Sequence, residues 1–146
     1  MWSKSEPIYR IATHSTAKTW RNRLARYRLV GTNCTSCGMD HFPGRHVCPK
    51  CHNRDLVPKE FSGTGRVVCT AVDHTPLMGH GEEVPKPLAI VKMGENGPHV
   101  VSDIVDCEVE QVKEGLGVEM VLRKWRRESN GNYVYGYKFR PIITEE

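Results

Sequence analysis

The chain has 146 residues, of which 38% are hydrophobic and 26% charged, a composition typical of a globular protein with one domain or two small ones. No apolar run approaches the ~20 residues needed to cross a bilayer, and the first ten residues lack a secretory signal, so we predict a cytoplasmic protein without membrane spans. The formal charge of +4 is uneven, since residues 1–60 hold 11 Lys and Arg against 4 Asp and Glu while residues 61–146 hold 10 against 13, and the basic front part predicts an anionic partner.

Residues 1–30 are predicted to form an N-terminal extension and a helix. Ser15 and Thr16 are typical N-cap residues, residues 17–29 have a helical pattern, and Gly31 is expected to close the helix. The pattern has an apolar stripe (Trp20, Leu24, Tyr27) and an arginine-rich remainder (Arg21, Arg23, Arg26, Arg28). Such a helix either packs its stripe and solvates its arginines or docks on a partner, and the pattern leaves both possibilities open.

Residues 31–61 contain the strongest motif of the chain, two Cys-x-x-Cys pairs. Cys34 and Cys37 form the first pair, and Cys48 and Cys51 form the second, ten residues further on. Each pair directs two thiolates at one ion, so the four complete a tetrahedron with no open position for catalysis. We therefore predict one structural Zn²⁺ held by these four cysteines, on which the folding of this short segment depends.

The rival interpretations of the cysteines are a redox motif and two disulfides. A redox Cys-x-x-Cys usually occurs singly beside a βαβ pattern, and none is present here. The nearby histidines are interpreted as surface or hydrogen-bonding residues, because four cysteines already suffice as ligands; they are His41, His46 and His52.

Residues 62–146 are predicted to form a five-stranded barrel of the oligonucleotide/oligosaccharide-binding (OB) type. The segment begins at a glycine-rich junction and then has five β-branched or aromatic runs separated by Gly, Pro or Asn. The predicted strands are residues 66–73, 88–93, 99–105, 118–125 and 133–140. The fold class is therefore mainly β, with an N-terminal helix, a zinc ribbon and an OB-fold barrel.

Several residues outside the cysteine pairs resemble catalytic groups. Cys69 and Cys107 lie among apolar neighbours and are interpreted as small buried residues. Roles for His74 and His80 do not follow from the sequence, which offers no nucleophile with a positioned base and no phosphate-binding loop. We therefore expect that the chain is not itself an enzyme.

The last predicted strand alternates aromatic residues, which places Tyr133, Tyr135, Tyr137 and Phe139 on one face. This face is either the core of the barrel, which we favour, or a platform on which nucleic-acid bases stack. A basic cluster with one tryptophan precedes it, consisting of Arg123, Lys124, Trp125, Arg126 and Arg127.

These motifs, taken in order, resemble a known family. The shared set begins with the helix, Gly31, the two cysteine pairs and Phe42-Pro43-Gly44-Arg45. It continues with Gly63-x-Gly65-x-Val67, Pro87-Leu-Ala-Ile-Val91, Gly115-x-Gly117 and Tyr135-Gly-Tyr-Lys-Phe-Arg-Pro141. The chain is similar to zinc-ribbon/OB-fold proteins, with a rubredoxin-like ribbon, that were catalogued as a domain of unknown function and accompany acyl-CoA enzymes. Gly44 departs from the family pattern, which commonly has a proline there.

The resemblance implies a non-catalytic scaffold subunit, and the archaeal members of the family look most similar. They hold acetoacetyl-CoA thiolase and hydroxymethylglutaryl-CoA (HMG-CoA) synthase together, so that acetoacetyl-CoA passes between them in the mevalonate pathway. Other members accompany thiolase-like acyltransferases or CoA-ester aldolases.

The two basic regions are the predicted contacts with such partners or with the phosphates of CoA, whether or not CoA is bound directly. They comprise Trp20, Arg21, Arg23 and Arg26 of the helix, and Arg123, Lys124, Arg126 and Arg127 of the cluster. The alternative function is binding of single-stranded nucleic acid. It is disfavoured because a zinc tetrathiolate carrying −2 reduces the formal charge of +4 to about +2.

Overall fold

The structure is a computed structural model that describes residues 16–75, 84–95, 97–127 and 131–143. Its elements in chain order are α1 (Thr16–Arg21), α2 (Arg23–Arg28), β1 (Val30–Cys34), β2 (Asp40–His41), β3 (Leu56–Glu60), β4 (Thr64–Asp73), β5 (Lys86–Met93), β6 (His99–Asp103), β7 (Gly117–Arg127) and β8 (Tyr133–Pro141). A 3₁₀ turn, Val109–Gln111, lies between β6 and β7. The prediction of a mainly β chain is confirmed.

The predicted single helix is wrong in two respects. It is divided into two six-residue helices around Asn22, and it ends at Leu29, whose backbone is left-handed with φ 51°. Gly31 does not close the helix but lies in β1, where a Cβ atom would approach the carbonyl oxygen of His41 to 2.2 Å. Gly31 is therefore needed for close packing of β1 on β2.

The first sheet is small, antiparallel and ordered β2-β1-β3. Strand β1 lies at its centre, with Thr32 opposite His41 on one side and Pro58 on the other. This sheet carries the zinc ribbon, and its buried residues are few: Gly31, Cys34, His41 and Cys48. The ribbon thus has almost no apolar core of its own.

The second sheet has five antiparallel strands in the order β6-β5-β4-β7-β8 and curls into a nearly closed barrel. The ends meet where β6 leads into a parallel bridge between Ile104 and Phe139, next to a 2.8 Å hydrogen bond from the Val105 amide to the Phe139 carbonyl. Bulges between Val67 and Cys69 and between Lys124 and Arg126 help the strands curve. The predicted OB fold is confirmed, and each predicted strand lies within or overlaps an observed one.

The core fills the barrel and extends to the end of α2. It contains Leu29, Val67, Ala89, Val91, Met93, Val100, Ile104, Val112, Val118 and Phe139. The ribbon packs on this core through aromatic rings, since the Phe42 centroid lies 6.1 Å from Phe61 and 5.7 Å from Tyr137. The amide of Phe61 also donates to the Leu29 carbonyl at 3.3 Å. Helix, ribbon and barrel therefore share one packed junction.

The last strand does not keep its four aromatic rings in the core. Tyr133 and Tyr135 are 53% and 49% exposed, whereas Phe139 is fully buried and Tyr137 largely so. The core interpretation is therefore right for the second half of β8 and wrong for the first half. The bulge in β7 and the strong curvature of the barrel separate the two halves, which alternation alone does not reveal.

Candidate metal centre and docking surface

The two cysteine pairs form two knuckles with matching backbone geometry. In the first, the Gly38 amide donates to the Cys34 carbonyl and the Cys34 amide donates to the Met39 carbonyl, both at 2.9 Å. In the second, the His52 amide donates to the Cys48 carbonyl and the Cys48 amide donates to Asn53, again at 2.9 Å. Gly38 and His52 occupy equivalent positions and both have left-handed backbones, with φ 69° and 56°. The sequence signalled only the first of these turns, through its glycine.

The knuckles bring all four sulfurs to one point. The Sγ atoms of Cys34, Cys37, Cys48 and Cys51 lie within 4.8 Å of one another. The Cys34–Cys51 and Cys37–Cys48 sulfur pairs are separated by 3.5 and 3.6 Å, and all four cysteines are free thiols. A tetrahedron with zinc–sulfur bonds of about 2.3 Å has sulfur–sulfur edges of about 3.8 Å. The donor set and its dimensions therefore fit one zinc ion, and the predicted structural Zn²⁺ is confirmed.

Backbone amides inside the knuckles point at the sulfurs. The hydrogen bond from the Cys37 amide, assisted by Ser36, lowers the pKa of the Cys34 thiol to about 6, and the Cys51 amide lowers the pKa of Cys48. The Met39 amide acts in the same way on Cys37, but desolvation and the neighbouring sulfurs outweigh it and raise the pKa of Cys37 to about 11. Four sulfurs this close cannot all ionise without a compensating cation, which zinc supplies.

Side chains around the knuckles fix the second one onto β1. The Thr35 hydroxyl donates to the Asp55 carbonyl at 2.8 Å, and the Thr35 amide donates to the same oxygen at 3.2 Å. Of the three nearby histidines, His46 and His52 are exposed as predicted. His41 is instead buried, and its Nε2 has no hydrogen-bond partner among the described residues.

The apolar stripe predicted on the helix is not buried against the rest of the chain. Trp20 is 66% exposed and Leu24 is 45% exposed, while Tyr27 is partly buried. Trp20 stacks only on the guanidinium of Arg23, which lies 4.1 Å from the ring centroid. Residues 16–29 contain five cationic side chains and no acidic one. The possibility that the helix packs its whole stripe down is therefore wrong.

The helix and the basic cluster of β7 lie side by side. The Arg26 guanidinium sits 4.6 Å from the Trp125 ring centroid, and the Trp125 Nε1 donates to the Tyr137 carbonyl at 2.9 Å. Beyond Trp125, Lys124 and Arg127 each approach the exposed ring of Tyr133, at 5.8 and 5.7 Å. We call these neighbouring groups the aromatic–arginine surface: Trp20, Arg23, Leu24, Arg26, Lys124, Trp125, Arg127, Tyr133 and Tyr135.

Not every predicted contact residue belongs to this surface. Arg123 pairs with Asp106 at 2.6 Å, so its charge is largely matched within the chain. Arg21 is exposed at the end of α1, and Arg126 is half-buried on β7. Sequence reasoning found the two basic regions but had no signal that the fold would join them through Arg26 and Trp125.

The remaining residues that resembled catalytic groups are scattered. Cys69 is exposed on β4, so its interpretation as a buried residue is wrong. Cys107 is partly buried, and burial together with the charges of Asp106 and Glu108 raises the pKa of its thiol. His74 is exposed after β4, and His80 lies outside the described residues. In the part of the chain that the structure describes, the four cysteines are the one group of His, Cys, Asp or Glu able to enclose a metal ion.

A closed four-cysteine ribbon followed by an OB barrel defines a zinc-ribbon/OB-fold protein. Comparison with known families identifies both parts: residues 21–57 match the ChsH2 rubredoxin-like zinc ribbon domain, and residues 58–123 match the ChsH2 C-terminal OB-fold domain. The chain is 42% identical to a DUF35 domain-containing scaffold protein of Pyrococcus furiosus, over 89% of this chain and 95% of that protein. It therefore belongs to the DUF35 family.

Other relatives agree with this assignment. A DUF35 domain-containing scaffold protein of Methanothermobacter thermautotrophicus is 40% identical over 86% of this chain and 96% of its own length. Among solved structures, the Ltp2-ChsH2(DUF35) aldolase aligns with a TM-score of 0.69 and 25% identity, over 90% of this chain and 98% of the matched one. A DUF35 protein of unknown function from Sulfolobus solfataricus has the same fold, with a TM-score of 0.56, 14% identity, and coverage of 92% and 91%.

Proposed function

We propose that this protein is a non-catalytic scaffold subunit that holds acetoacetyl-CoA thiolase and HMG-CoA synthase together through the aromatic–arginine surface. The observation that carries the proposal is a tryptophan, a leucine and several arginines left exposed on a helix without acidic residues. Tryptophan, tyrosine and arginine are the residues most enriched at protein interfaces and at their energetic hot spots. The excess of cations selects a partner with an acidic surface.

The geometry of the surface supports docking rather than simple solvation. Arg26 is held against Trp125, and Trp125 is fixed by its own hydrogen bond to β8, so the two parts of the surface have a defined relative position. Preorganised side chains lose less entropy when a partner binds. The ribbon lies between helix and barrel and contributes rigidity, not chemistry, because its metal has no open coordination position.

The choice of partner rests on the family. The relatives named scaffold proteins come from archaea, and the structural neighbour is described as an aldolase that includes a DUF35 chain. A scaffold joining two enzymes raises the effective concentration at which an intermediate meets its second active site. Transfer of acetoacetyl-CoA from thiolase to synthase is the step that benefits, and the assembly would act in the cytoplasm.

The test is reconstitution of the zinc-loaded chain with both purified enzymes from the same organism. We expect one assembly by light scattering, and we expect Trp20→Ala combined with Arg23→Ala to weaken it at least about tenfold, as hot-spot substitutions do. Arg54→Gln is the matched control, since Arg54 is an exposed cation of the ribbon outside this surface. A chain that elutes alone, or a double variant that binds as tightly as the unaltered chain, would contradict the proposal.

Single-stranded nucleic-acid binding is the second candidate, favoured by the exposure of Tyr133 and Tyr135 beside Lys124 and Arg127. Exposed rings among cations form stacking platforms for bases. A gel-shift experiment with oligonucleotides at physiological salt separates the candidates. Saturable binding lost in Tyr133→Ala and in Tyr135→Ala would support this function instead of the scaffold.

A further inference from the structure

A row of basic side chains crosses three strands on the outer face of the barrel. Arg66 on β4 lies directly opposite Lys92 on β5, and Lys92 lies directly opposite His99 on β6. Residues directly opposite one another in antiparallel strands project from the same face. Arg66 and His99 are exposed and Lys92 is half-buried, so the row is open to solvent.

This row differs from the other charged pairs of the barrel. Within the described strands, Asp73 is opposite Lys86 and Glu119 is opposite Arg140, and both pairs join opposite charges at 3.8 and 2.8 Å. Arg66 opposite Lys92 is the exception, because it joins two cations. Like charges directly opposite across a sheet destabilise it. An anion bound between them would remove that cost.

A groove runs alongside Arg66 and Lys92. It has a volume of about 530 Å³ and is bordered by three glycines, Gly65, Gly94 and Gly117, with Ile142 at its apolar wall. This volume lies within the range of about 300 to 1,000 Å³ typical of small-molecule sites. Glycines leave the backbone accessible to a ligand, as they do at many phosphate sites.

The two cations have donors available toward this groove. Arg66 uses Nη1 to hold the Gly115 carbonyl at 3.0 Å, which fixes the guanidinium while leaving its other donors. Lys92 makes no hydrogen bond or ion pair with any described residue. Glu95 also borders the groove, and its carboxylate disfavours an anion at that end. The anionic group is therefore placed at the Arg66–Lys92 end.

We propose that this groove binds a phosphate-bearing small molecule, with its phosphate between Arg66 and Lys92 and its body directed toward Ile142. An arginine and a lysine side by side recognise phosphate through charge-assisted hydrogen bonds. A small molecule fits better than an acidic protein loop because the cations stand beside a glycine-lined depression rather than on a flat surface. The site is distinct from the aromatic–arginine surface and does not depend on the partner enzymes.

The experiment is a titration of the full zinc-loaded chain, followed by calorimetry and by backbone amide NMR. The probes are inorganic phosphate, ADP and coenzyme A, so that the three arms distinguish free phosphate, a nucleotide and an extended phosphate ester. We expect saturable binding of at least one probe, with the largest amide shifts at Gly65, Gly94 and Gly117. Arg66→Gln and Lys92→Gln should each weaken binding about tenfold, and Arg54→Gln should leave it unchanged.

A measurement without ligand guards against misfolded variants. Because Lys92→Gln removes a like-charge pair, its melting temperature without ligand should equal or exceed that of the unaltered chain. The phosphate probe should raise the melting temperature of the unaltered chain and have less effect on the variant. The proposal is overturned by a lack of saturable binding at millimolar probe. It is equally overturned by amide shifts centred on residues 20–26 and 123–127, or by an equal loss of affinity in Arg54→Gln.

Discussion

The ribbon and the barrel are both small antiparallel β structures, but different forces hold them together. The barrel encloses nine of the ten residues of the apolar core, including Val91, Val118 and Phe139 with no measurable exposure. The ribbon buries two cysteines, a glycine and a histidine, and no aliphatic side chain of residues 30–60 is buried. One region is stabilised by removal of apolar surface from water, and the other by metal–thiolate bonds.

This difference explains the exposed helix that precedes both regions. Leu29 inserts into the barrel core and anchors the end of α2, while Trp20, about two turns earlier, has no apolar surface of the chain to cover it. A metal-held ribbon offers sulfur, backbone and polar side chains in place of a hydrophobic groove. The apolar face of the helix is thus left for a partner.

The largest expected effect is the loss of zinc. Cys34→Ser should abolish zinc binding and unfold residues 30–60, because structural zinc supplies about 10 kcal/mol or more to such a segment. The barrel should keep its dispersed NMR signals, since its core does not include the ribbon. Metal content by mass spectrometry and amide spectra of the same sample measure the two halves of this expectation.

Cys69→Ser is the matched control, since it removes a thiol that is exposed on β4 and away from the four ligands. It should retain one zinc per chain and an unchanged spectrum of the ribbon. A ribbon that remains fully folded in Cys34→Ser, or a barrel that collapses together with it, would show that the two regions are not stabilised separately.

The next effect concerns the barrel and compares two aromatic residues of one strand. Phe139→Ala should lower the free energy of unfolding by about 3 to 5 kcal/mol, because it leaves a cavity at the centre of the core. Tyr135→Ala, at a position 49% exposed on the same strand, should change it by no more than about 0.5 kcal/mol. Urea denaturation of both variants, with zinc present throughout, provides the comparison. Equal losses would mean that Tyr135 is part of the core.

The features that could be predicted from sequence were the ones fixed by local chemistry. Paired cysteines two residues apart specify a metal site whatever surrounds them, and runs of β-branched residues between turn residues specify strands. The ligands of the zinc and the five strands of the barrel followed from these rules. Resemblance of the ordered motifs added the family, which spacing alone does not give.

The features that could not be predicted depend on contacts distant in sequence. Whether Tyr133 and Tyr137 share a fate depends on a bulge in the neighbouring strand, and the burial of Lys138 depends on Asp103, 3.0 Å away on β6. The exposure of Cys69 follows from a second bulge. The left-handed turn at His52 had no glycine to announce it, although its knuckle repeats the geometry of the first.

The smallest expected effect is a pH dependence at the junction of the two regions. Tyr137 packs against Phe42 of the ribbon and Phe139 of the core, and burial raises the pKa of its phenol, partly opposed by the charge of Arg26. A raised folded-state pKa means that the folded chain retains a proton that the unfolded chain loses. The associated stability is complete below the unfolded value of about 10 and is lost as the pH rises above it.

Tyr137→Phe keeps the ring contacts but removes the titrating group. We therefore expect the free energy of unfolding of the unaltered chain to fall more steeply than that of the variant between about pH 9.5 and about pH 11. Tyr133→Phe is the control, because Tyr133 is exposed and lies away from the junction. If both variants lost stability along the same curve as the unaltered chain, the phenol of Tyr137 would be solvated, and the ribbon would pack on the barrel less tightly than its aromatic contacts indicate.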